Sequence, residues 1–311
     1  MSGTFVLSLD LEMAWGSWST GKFDPSVFAA EPEVARRLDR IAVERRLPFT
    51  WAVVGAIEGF DTSTLRDLPE DAPITEILTE PPALADAVPT VGMVRGDLAA
   101  WVSPGLIPEL AASAAGHEIA SHTFFHSLPT SSAAMADDLE RLRRAVPGLE
   151  PTTLVFPRDR VDAAVVRDSP IACYRGLVER PWFQDRGRPH GVGKVLHLME
   201  QGLGSPAPLA SVRCGDPVII TSSAILTLRH GIRRLLPARQ LRHRLHRSVE
   251  GAIKAGGIFH LWTHPWNLAI PGSDAFDLLA ETLEHVAERR DRGDLEVLTM
   301  GEASRRACPQ R

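Results

Sequence analysis

The chain alternates short apolar segments with longer segments of helical periodicity. Residues 4–9 (Thr-Phe-Val-Leu-Ser-Leu) form the first apolar run, which is typical of a strand buried on both faces. Between residues 33 and 44, Val34, Leu38 and Ile41 recur at the spacing of one helix face. The same patterns predict further strands at 48–55, 117–121, 152–156, 218–222 and 257–262, and further helices at 106–115, 133–144 and 276–290.

This alternation predicts an α/β fold built on a parallel sheet. No repeat, low-complexity tract or linker divides the chain, so we expect one catalytic domain over residues 1–311. The segment 68–104 begins with many proline and acidic residues and is predicted to be a loop-rich insertion beside the site. No apolar run has the length of a membrane-spanning helix.

Composition narrows the class of protein and its location. The formal net charge of −5 argues against nucleic-acid binding, which requires a basic surface. Three widely spaced cysteines (Cys173, Cys214 and Cys308) predict neither a disulfide framework nor a thiolate metal site, and so favour a reducing compartment. The first residues carry no basic side chain before the apolar run, which predicts no cleaved leader and a cytoplasmic location.

One segment is strongly basic, although the chain as a whole has a negative net charge. Residues 228–247 carry seven arginines and three histidines among leucines, and part of the segment has the pattern of an amphipathic helix. A solvated basic face is the simpler interpretation. The alternative is a surface for an anionic partner, either a membrane that carries lipid-linked sugar or a diphosphate group.

Two histidines four residues apart, His122 and His126, follow the predicted strand at 117–121. The spacing alone is weak evidence for a metal site, since His260 and His264 show it too. Their place at the end of a strand strengthens it, because the sites of α/β folds lie at the carboxyl ends of the strands. Imidazole nitrogens are common ligands of zinc.

Two carboxylates, Asp10 and Glu12, close the first strand. Residues two apart share one face of a strand, so both side chains are predicted to enter one pocket. Burying two acids is costly without a cation or hydrogen-bond donors nearby. A metal ion with one carboxylate as ligand and the other as base satisfies that requirement, whereas a solvated turn is the alternative.

Two further candidates follow later strands. His264 precedes Pro265 at the end of the strand 257–262 and is the better candidate for an acid, while His260 is either a core residue or a support for a catalytic group. Arg158, after Phe156-Pro157, is placed to hold a catalytic carboxylate, and a surface ion pair is the equal alternative.

Taken together, these segments resemble the polysaccharide deacetylases of the NodB-homology type, carbohydrate esterase family four. The likeness rests on residues 116–126 (Gly-His-Glu-Ile-Ala-Ser-His-Thr-Phe-Phe-His), 48–55 and 259–265. It implies a distorted (β/α) barrel of seven parallel strands and one divalent metal ion, typically zinc, with cobalt or another ion as alternatives. It also implies an enzyme that removes an acetyl group from a sugar. An N-acetyl group is the first choice and an O-acetyl group the second, so the implied class is a hydrolase of carbon–nitrogen bonds other than peptide bonds.

The resemblance also implies roles for individual residues. Glu12, His122 and His126 hold the metal, Asp10 is the base and His264 the acid. The family's adjacent aspartates are replaced here by Asp10-Leu11-Glu12, so the roles of base and ligand are exchangeable. Arg158 takes the base-orienting role, although it follows the proline that it precedes in the family.

The expected location points to a class of substrate. A cytoplasmic member would act on a nucleotide sugar, a lipid-linked sugar or another glycosylated precursor. Two alternatives remain: a metal-dependent amidohydrolase acting on a non-sugar amide, and a catalytically inactive homologue that binds carbohydrate.

Overall fold

The computed structural model describes residues 2–17, 24–74, 89–177, 204–226 and 237–309. Within these ranges ten strands form one sheet: β1 (Gly3–Leu11), β2 (Thr50–Val53), β3 (Glu118–Ser121), β4 (Thr153–Leu154), β5 (Cys173–Gly176), β6 (Val212–Arg213), β7 (Val218–Thr221), β8 (Ala224–Ile225), β9 (Ile258–Thr263) and β10 (Leu295–Val297).

The helices of the same ranges surround this sheet. They are α1 (Met13–Ser17), α2 (Pro25–Ala29), α3 (Glu31–Arg45), α4 (Ala56–Gly59), α5 (Val91–Gly96), α6 (Leu106–Ala111), α7 (Ser132–Ala145), α8 (Ala238–Ala255), α9 (Ala275–Asp291) and α10 (Met300–Ala307). The predicted periodic face of α3 is buried at Val34 and Leu38, which confirms this helix. Predicted strands and helices recur in the structure with boundaries shifted by a few residues.

The sheet curls into a distorted barrel. Strands β7, β5, β4, β3, β2, β1 and β9 are neighbours in that order, and every pairing among them is parallel. β8 follows β7 after two residues but pairs with β9, so the segment 218–225 brings the two ends of the sheet together. Counted as one strand, this segment completes the seven parallel strands that the sequence predicts. β10 lies beside β1, and β6 runs antiparallel to β7.

The barrel interior is narrow and apolar at its amino-terminal end. Small and medium side chains from successive strands pack there against α10; they are Val6, Ala52, Ala120, Val155, Cys173, Ile220, Met300 and Ala303. The Glu118 carboxylate ties α10 to the strands, because it accepts hydrogen bonds from the Thr50 and Thr153 hydroxyls and from the Gly301 amide. Buried apolar side chains therefore fill the interior at this end.

Part of the predicted insertion at 68–104 lies outside the described residues, namely 75–88. The described remainder contains α5, and Trp101 is fully buried in the hydrophobic core. Of the helices in the described ranges, none is both long and apolar enough to cross a membrane.

The cysteine prediction is wrong. Cys214, next to β6, and Cys308, just after α10, form a disulfide bond across 94 residues of sequence, while Cys173 stays a free, buried thiol. The two partners are brought together only by the fold, which is why their spacing gave no signal. The bond fastens the carboxyl-terminal helix to the antiparallel edge strand.

This bond gives a first testable prediction. Cross-linking residues so far apart removes much chain entropy from the unfolded state, so Cys308→Ser should lower the free energy of unfolding by about 2–4 kcal/mol. Urea unfolding with and without reductant measures the effect, and reductant should not destabilise the variant further. A wild-type midpoint that is indifferent to reductant would contradict the bond.

Candidate metal centre and active site

The first strand carries the carboxylates of the site. Val6 belongs to the apolar interior of the barrel, and side chains at alternate positions of a strand share a face, so Ser8 and Asp10 also point inward. Glu12 follows the last residue of β1, and both carboxyl groups are almost completely buried. Asp10 Oδ2 and Glu12 Oε1 both lie within 4.0 Å of His264 Nε2.

Both histidines of the motif lie in the loop after β3, not on a helix. Thr123 and His126 have positive φ angles of 62° and 55°, a conformation that costs side-chain-bearing residues about 1–2 kcal/mol. Several hydrogen bonds hold the loop in this shape. The Phe124 amide donates to Asp138 on α7, and the Thr123 amide donates to Ser121 Oγ.

The ring of His122 is oriented by a backbone carbonyl. Its Nδ1 lies 2.8 Å from the Val155 carbonyl oxygen, which can only accept, so Nδ1 carries the proton and Nε2 presents a lone pair. A carbonyl behind a histidine is the usual means of fixing the tautomer of a metal ligand. His126 lies next to His122, with ring centroids 4.9 Å apart.

One oxygen of Glu12 meets both rings. Oε2 lies 3.2 Å from His126 Nε2 and 3.6 Å from His122 Nε2. Ligand atoms bonded at 2.0–2.1 Å to one tetrahedral zinc ion are separated by about 3.3 Å. These three groups form a cluster of possible metal ligands, and both the donor types and the spacing fit a single ion.

The other oxygen of Glu12 is held from behind. Oε1 accepts hydrogen bonds from Ser17 Oγ at 2.9 Å and from Trp266 Nε1 at 3.0 Å. Burial raises the pKa of Glu12, but the nearby charge of His264 and the contacts with the two imidazoles together outweigh it, so this pKa lies well below its usual range. Glu12 is therefore ionised and correctly oriented for a cation.

Asp10 has a different partner. Arg175, on β5, donates from Nη1 to Oδ1 at 2.7 Å and from Nη2 to Oδ2 at 2.6 Å, a bidentate ion pair. The guanidinium also lies over the ring of Trp262, 4.1 Å from its centroid. Burial raises the pKa of Asp10, but the charge and hydrogen bonds of Arg175, together with the nearby histidines, outweigh it, so the pKa is lowered and the carboxylate is ionised at neutral pH.

The prediction that Arg158 orients this carboxylate is wrong. The charge-assisted contact that was expected of Arg158 is made by Arg175. Arg158 lies in the turn after β4, where it and Asp159 both have positive φ angles, and its charge helps to lower the pKa of His126, after the larger effect of burial. The Asp159 carboxylate lies 4.0 Å from Arg175 Nη2.

His264 lies on the open side of the cluster. Its Nε2 is 3.6 Å from Glu12 Oε1 and 4.0 Å from Asp10 Oδ2. The side chain is 19% exposed, whereas those of Glu12, His122 and His126 are about 3% exposed or less. Trp262 and Trp266 flank the ring. His264 is thus the titratable group of this set that a substrate meets first.

Three residues of the site were not found from the sequence: Arg175, Ser17 and Gly16. Arg175 gave one usable signal, because it interrupts the strand-like run Ile171-Ala172-Cys173-Tyr174, and a cation inside such a run requires a buried anionic partner. Ser17 and Gly16 gave none, since their importance depends on where the Glu12 carboxylate lies.

The architecture matches solved structures of low sequence identity. A protein named as a polysaccharide deacetylase from Mycobacterium smegmatis aligns over 100% of this chain and 92% of its own, with TM-score 0.58 and 15% identity. One from Pseudomonas aeruginosa PAO1 aligns over 99% and 91%, with TM-score 0.59 and 10% identity. This is the polysaccharide-deacetylase fold. The likeness inferred from the motifs is confirmed for the fold.

The same fold accommodates another named activity. The Puue allantoinase aligns over 99% of this chain and 91% of its own, with TM-score 0.56 and 10% identity. Neither a sequence-family model nor a curated protein matches the chain. The fold alone therefore does not choose between an acetylated sugar and a non-sugar amide, and the choice depends on the site residues.

Gly16 provides a test of the Glu12 geometry. A Cβ atom at Gly16 would lie 2.0 Å from the Glu12 carboxyl carbon, so Gly16→Ala must displace that carboxylate. We expect zinc affinity to fall by about 10- to 100-fold, as when a support of a metal ligand is lost. Gly251→Ala, in α8 with nothing within 4 Å of the new atom, is the matched control. Equal zinc affinity of the two variants, measured by competition with a chelating dye, would contradict the assignment.

Asp138 gives a prediction that depends on pH. Burial raises its pKa to about 7, and its Oδ2 has no hydrogen-bond partner within the described part of the chain. Between the ordinary pKa and this value the folded state binds more protons than the unfolded state, so this carboxyl lowers stability as pH rises from 4 to 7. Asp138→Asn retains an acceptor for the Phe124 amide but does not titrate.

The free energy of unfolding of this variant, relative to wild type, should therefore increase from pH 4 to pH 7 by at most about 4 kcal/mol and then level off. Asp137→Asn, on the same helix and exposed, is the control and should show no such rise. Urea unfolding at four pH values measures both. A difference that stays flat with pH would show that Asp138 is not buried as described.

Proposed function

We propose that this chain is a zinc-dependent hydrolase that removes the N-acetyl group from a sugar. The observation that carries the proposal is the convergence of Glu12 Oε2, His122 Nε2 and His126 Nε2 beside an ionised Asp10 and a partly exposed His264. A binding protein needs a pocket but neither a base nor an acid. The deacetylase fold supports the proposal as background and does not carry it.

The geometry favours one assignment of the two carboxylates. Glu12 directs one oxygen at both histidines, as a metal ligand does, while both oxygens of Asp10 are engaged by Arg175. We assign the ligand role to Glu12 and the role of base to Asp10. Arg175, not Arg158, orients the base.

Zinc held by the three ligands would supply a Lewis acid for the acyl carbonyl and lower the pKa of water. Asp10 accepts the proton of the attacking water at a carboxylate oxygen, and Arg175 keeps that oxygen ionised and aimed. His264, on the open side, gives a proton to the departing nitrogen, because an unprotonated amide nitrogen is a poor leaving group. Trp266 contributes by fixing Glu12 through its indole N–H.

We extend the proposal to a sugar precursor that carries a diphosphate, either a nucleotide sugar or a lipid-linked sugar. The described part of the basic segment, residues 237–247, lies in α8, and residues 228–236 lie outside the described residues. Arg239, His243 and Arg247 recur every four residues on the exposed face of α8. An anionic membrane surface carrying the substrate would be attracted to this face.

The disulfide bond bears on where the protein is located. A cytoplasmic location was expected partly from cysteines that were predicted to be free, whereas the Cys214–Cys308 bond favours an oxidising compartment. Alkylation of the protein in intact cells distinguishes the two. One reactive thiol per unfolded chain indicates an oxidising compartment, and three indicate the reducing cytosol.

A second candidate function is hydrolysis of a non-sugar amide. The observation that favours it is the allantoinase match, whose TM-score of 0.56 is close to those of the deacetylases. The same residues serve both reactions, since both need a polarised carbonyl and an acid for the leaving nitrogen. Only the substrate decides between them.

The test combines metal content with product release. The purified protein should bind about one zinc per chain and release acetate from N-acetylated sugars or nucleotide sugars, and a chelator should abolish the release reversibly. Glu12→Gln should lose zinc and activity together, while the exposed Glu33→Gln should lose neither. Turnover of cyclic or linear non-sugar amides without acetate release would favour the second candidate. Absence of both metal and turnover would overturn the proposal.

The role of His264 is tested by comparing leaving groups. Loss of a general acid costs about 10²- to 10⁴-fold in rate, and amides depend on it more than esters do. His264→Gln should therefore reduce kcat/KM for an N-acetyl sugar by that factor and for the corresponding O-acetyl ester by much less. The control is His285→Gln on α9, a histidine paired with Glu250, which should match wild type. Equal losses on both substrates would refute the acid role.

A further inference from the structure

A buried chain of hydrogen bonds lies beneath Asp10 and has no part in the steps above. It begins at His260, on β9, whose side chain is fully buried. His260 Nδ1 lies 3.0 Å from the Thr221 carbonyl oxygen, and Nε2 lies 2.9 Å from Ser8 Oγ. Ser8, on β1, is also fully buried. The chain starts where β7 passes into β8 and crosses the barrel interior.

The directions of the bonds follow from the groups at the two ends, the Arg175 guanidinium and the Thr221 carbonyl oxygen. Arg175 Nη1 donates to Ser8 Oγ at 3.1 Å, and a guanidinium can only donate. Ser8 Oγ therefore accepts this bond, and its own hydrogen is free to go to His260 Nε2. The Thr221 carbonyl oxygen can only accept, so a neutral His260 carries its proton on Nδ1 and accepts at Nε2 from the Ser8 hydroxyl.

These hydrogen bonds are linked to Asp10 through one nitrogen atom of Arg175, Nη1. Nη1 of Arg175 uses one hydrogen on Asp10 Oδ1, at 2.7 Å, and the other on Ser8 Oγ. Two acceptors on one nitrogen fix the rotation of the guanidinium plane, which the face of Trp262 alone does not. Burial and the charge of Arg175 lower the pKa of His260 to about 3, so the ring stays neutral and remains an acceptor.

We propose that Ser8 and His260 are positioning residues, which hold Arg175 and through it set the orientation of Asp10. The inference rests on the proposed function, since it assumes that Asp10 is the base. Neither residue reaches the substrate. Loss of the acceptor on His260 leaves the Ser8 hydrogen without a partner in a buried place, which favours rotation of the serine away from Arg175.

Two substitutions of the same histidine separate this role from simple packing. In His260→Gln the amide oxygen takes the place of Nε2 and still accepts from Ser8. In His260→Asn the shorter side chain can replace Nδ1 but leaves Ser8 without its acceptor. Ser8→Ala removes the link entirely. His117→Asn is the control, because His117 is likewise a buried imidazole with a hydrogen-bonded ring, but it lies at the other end of the barrel.

Steady-state kinetics on a substrate that the protein hydrolyses should show that loss of this positioning lowers kcat and leaves KM unchanged. Ser8→Ala and His260→Asn should lower kcat by about 10- to 100-fold, the effect of a small misplacement of a catalytic group, with KM and zinc content unchanged. His260→Gln should recover most of kcat, and His117→Asn should keep it even if its stability falls. Wild-type kcat in Ser8→Ala and His260→Asn, or equal losses in Gln and Asn, would overturn the inference.

A second measurement needs neither a variant nor activity. Neutron diffraction of the wild-type protein should show deuterium on His260 Nδ1 and on Ser8 Oγ, with none on His260 Nε2. Deuterium on Nε2 would overturn the inference, whatever the substrate. A wild-type protein that hydrolyses no amide or ester would contradict the proposed function instead. The neutron result would still test the proton placement independently of activity.

Discussion

Arg175 and Asp10 place opposite charges inside a barrel from which water is almost excluded. Removing each ion from water costs several kcal/mol, and attraction between the two repays this only when the geometry is good and the remaining hydrogen-bonding groups are satisfied. Here the contact is bidentate, an aromatic face covers the cation and a buried hydroxyl takes a further guanidinium hydrogen. The site depends on this pair, because an Asp10 without Arg175 would be raised in pKa by burial and could not act as a base at neutral pH.

The barrel accommodates such a pair because the side chains of its interior form successive layers along the strands, from apolar to polar. Val6, Ser8 and Asp10, at alternate positions of β1, point inward, and Glu12 follows the end of the strand, so the side chains become more polar in that order. The apolar layer next to α10 excludes water below the ion pair. The layer of Ser8 and His260 satisfies the cation, and the ligands meet solvent only above it. The candidate site lies at the carboxyl end of the strands, the end that holds the sites of α/β barrels.

What the sequence predicted well was local. The β1 carboxylates, the histidine loop and His264 each occur in short segments whose pattern places them at a strand end. Contacts between distant segments were not predictable in the same way. Arg175 reaches Asp10 across 165 residues, and Cys214 meets Cys308 across 94. Arg158 was chosen because it follows a strand, but the turn there has two residues with positive φ, and the bidentate contact comes from the neighbouring strand.

The central claim is that Glu12 and the two histidines hold the metal while Asp10 stays with Arg175. A crystal structure of the zinc-loaded protein, with the ion located by anomalous scattering, tests it directly. We predict one zinc peak bonded at about 2.0–2.2 Å to Glu12 Oε2, His122 and His126, with the Asp10–Arg175 pair intact. A zinc ion coordinated by Asp10, or one bound elsewhere with this cluster unchanged, would contradict the account.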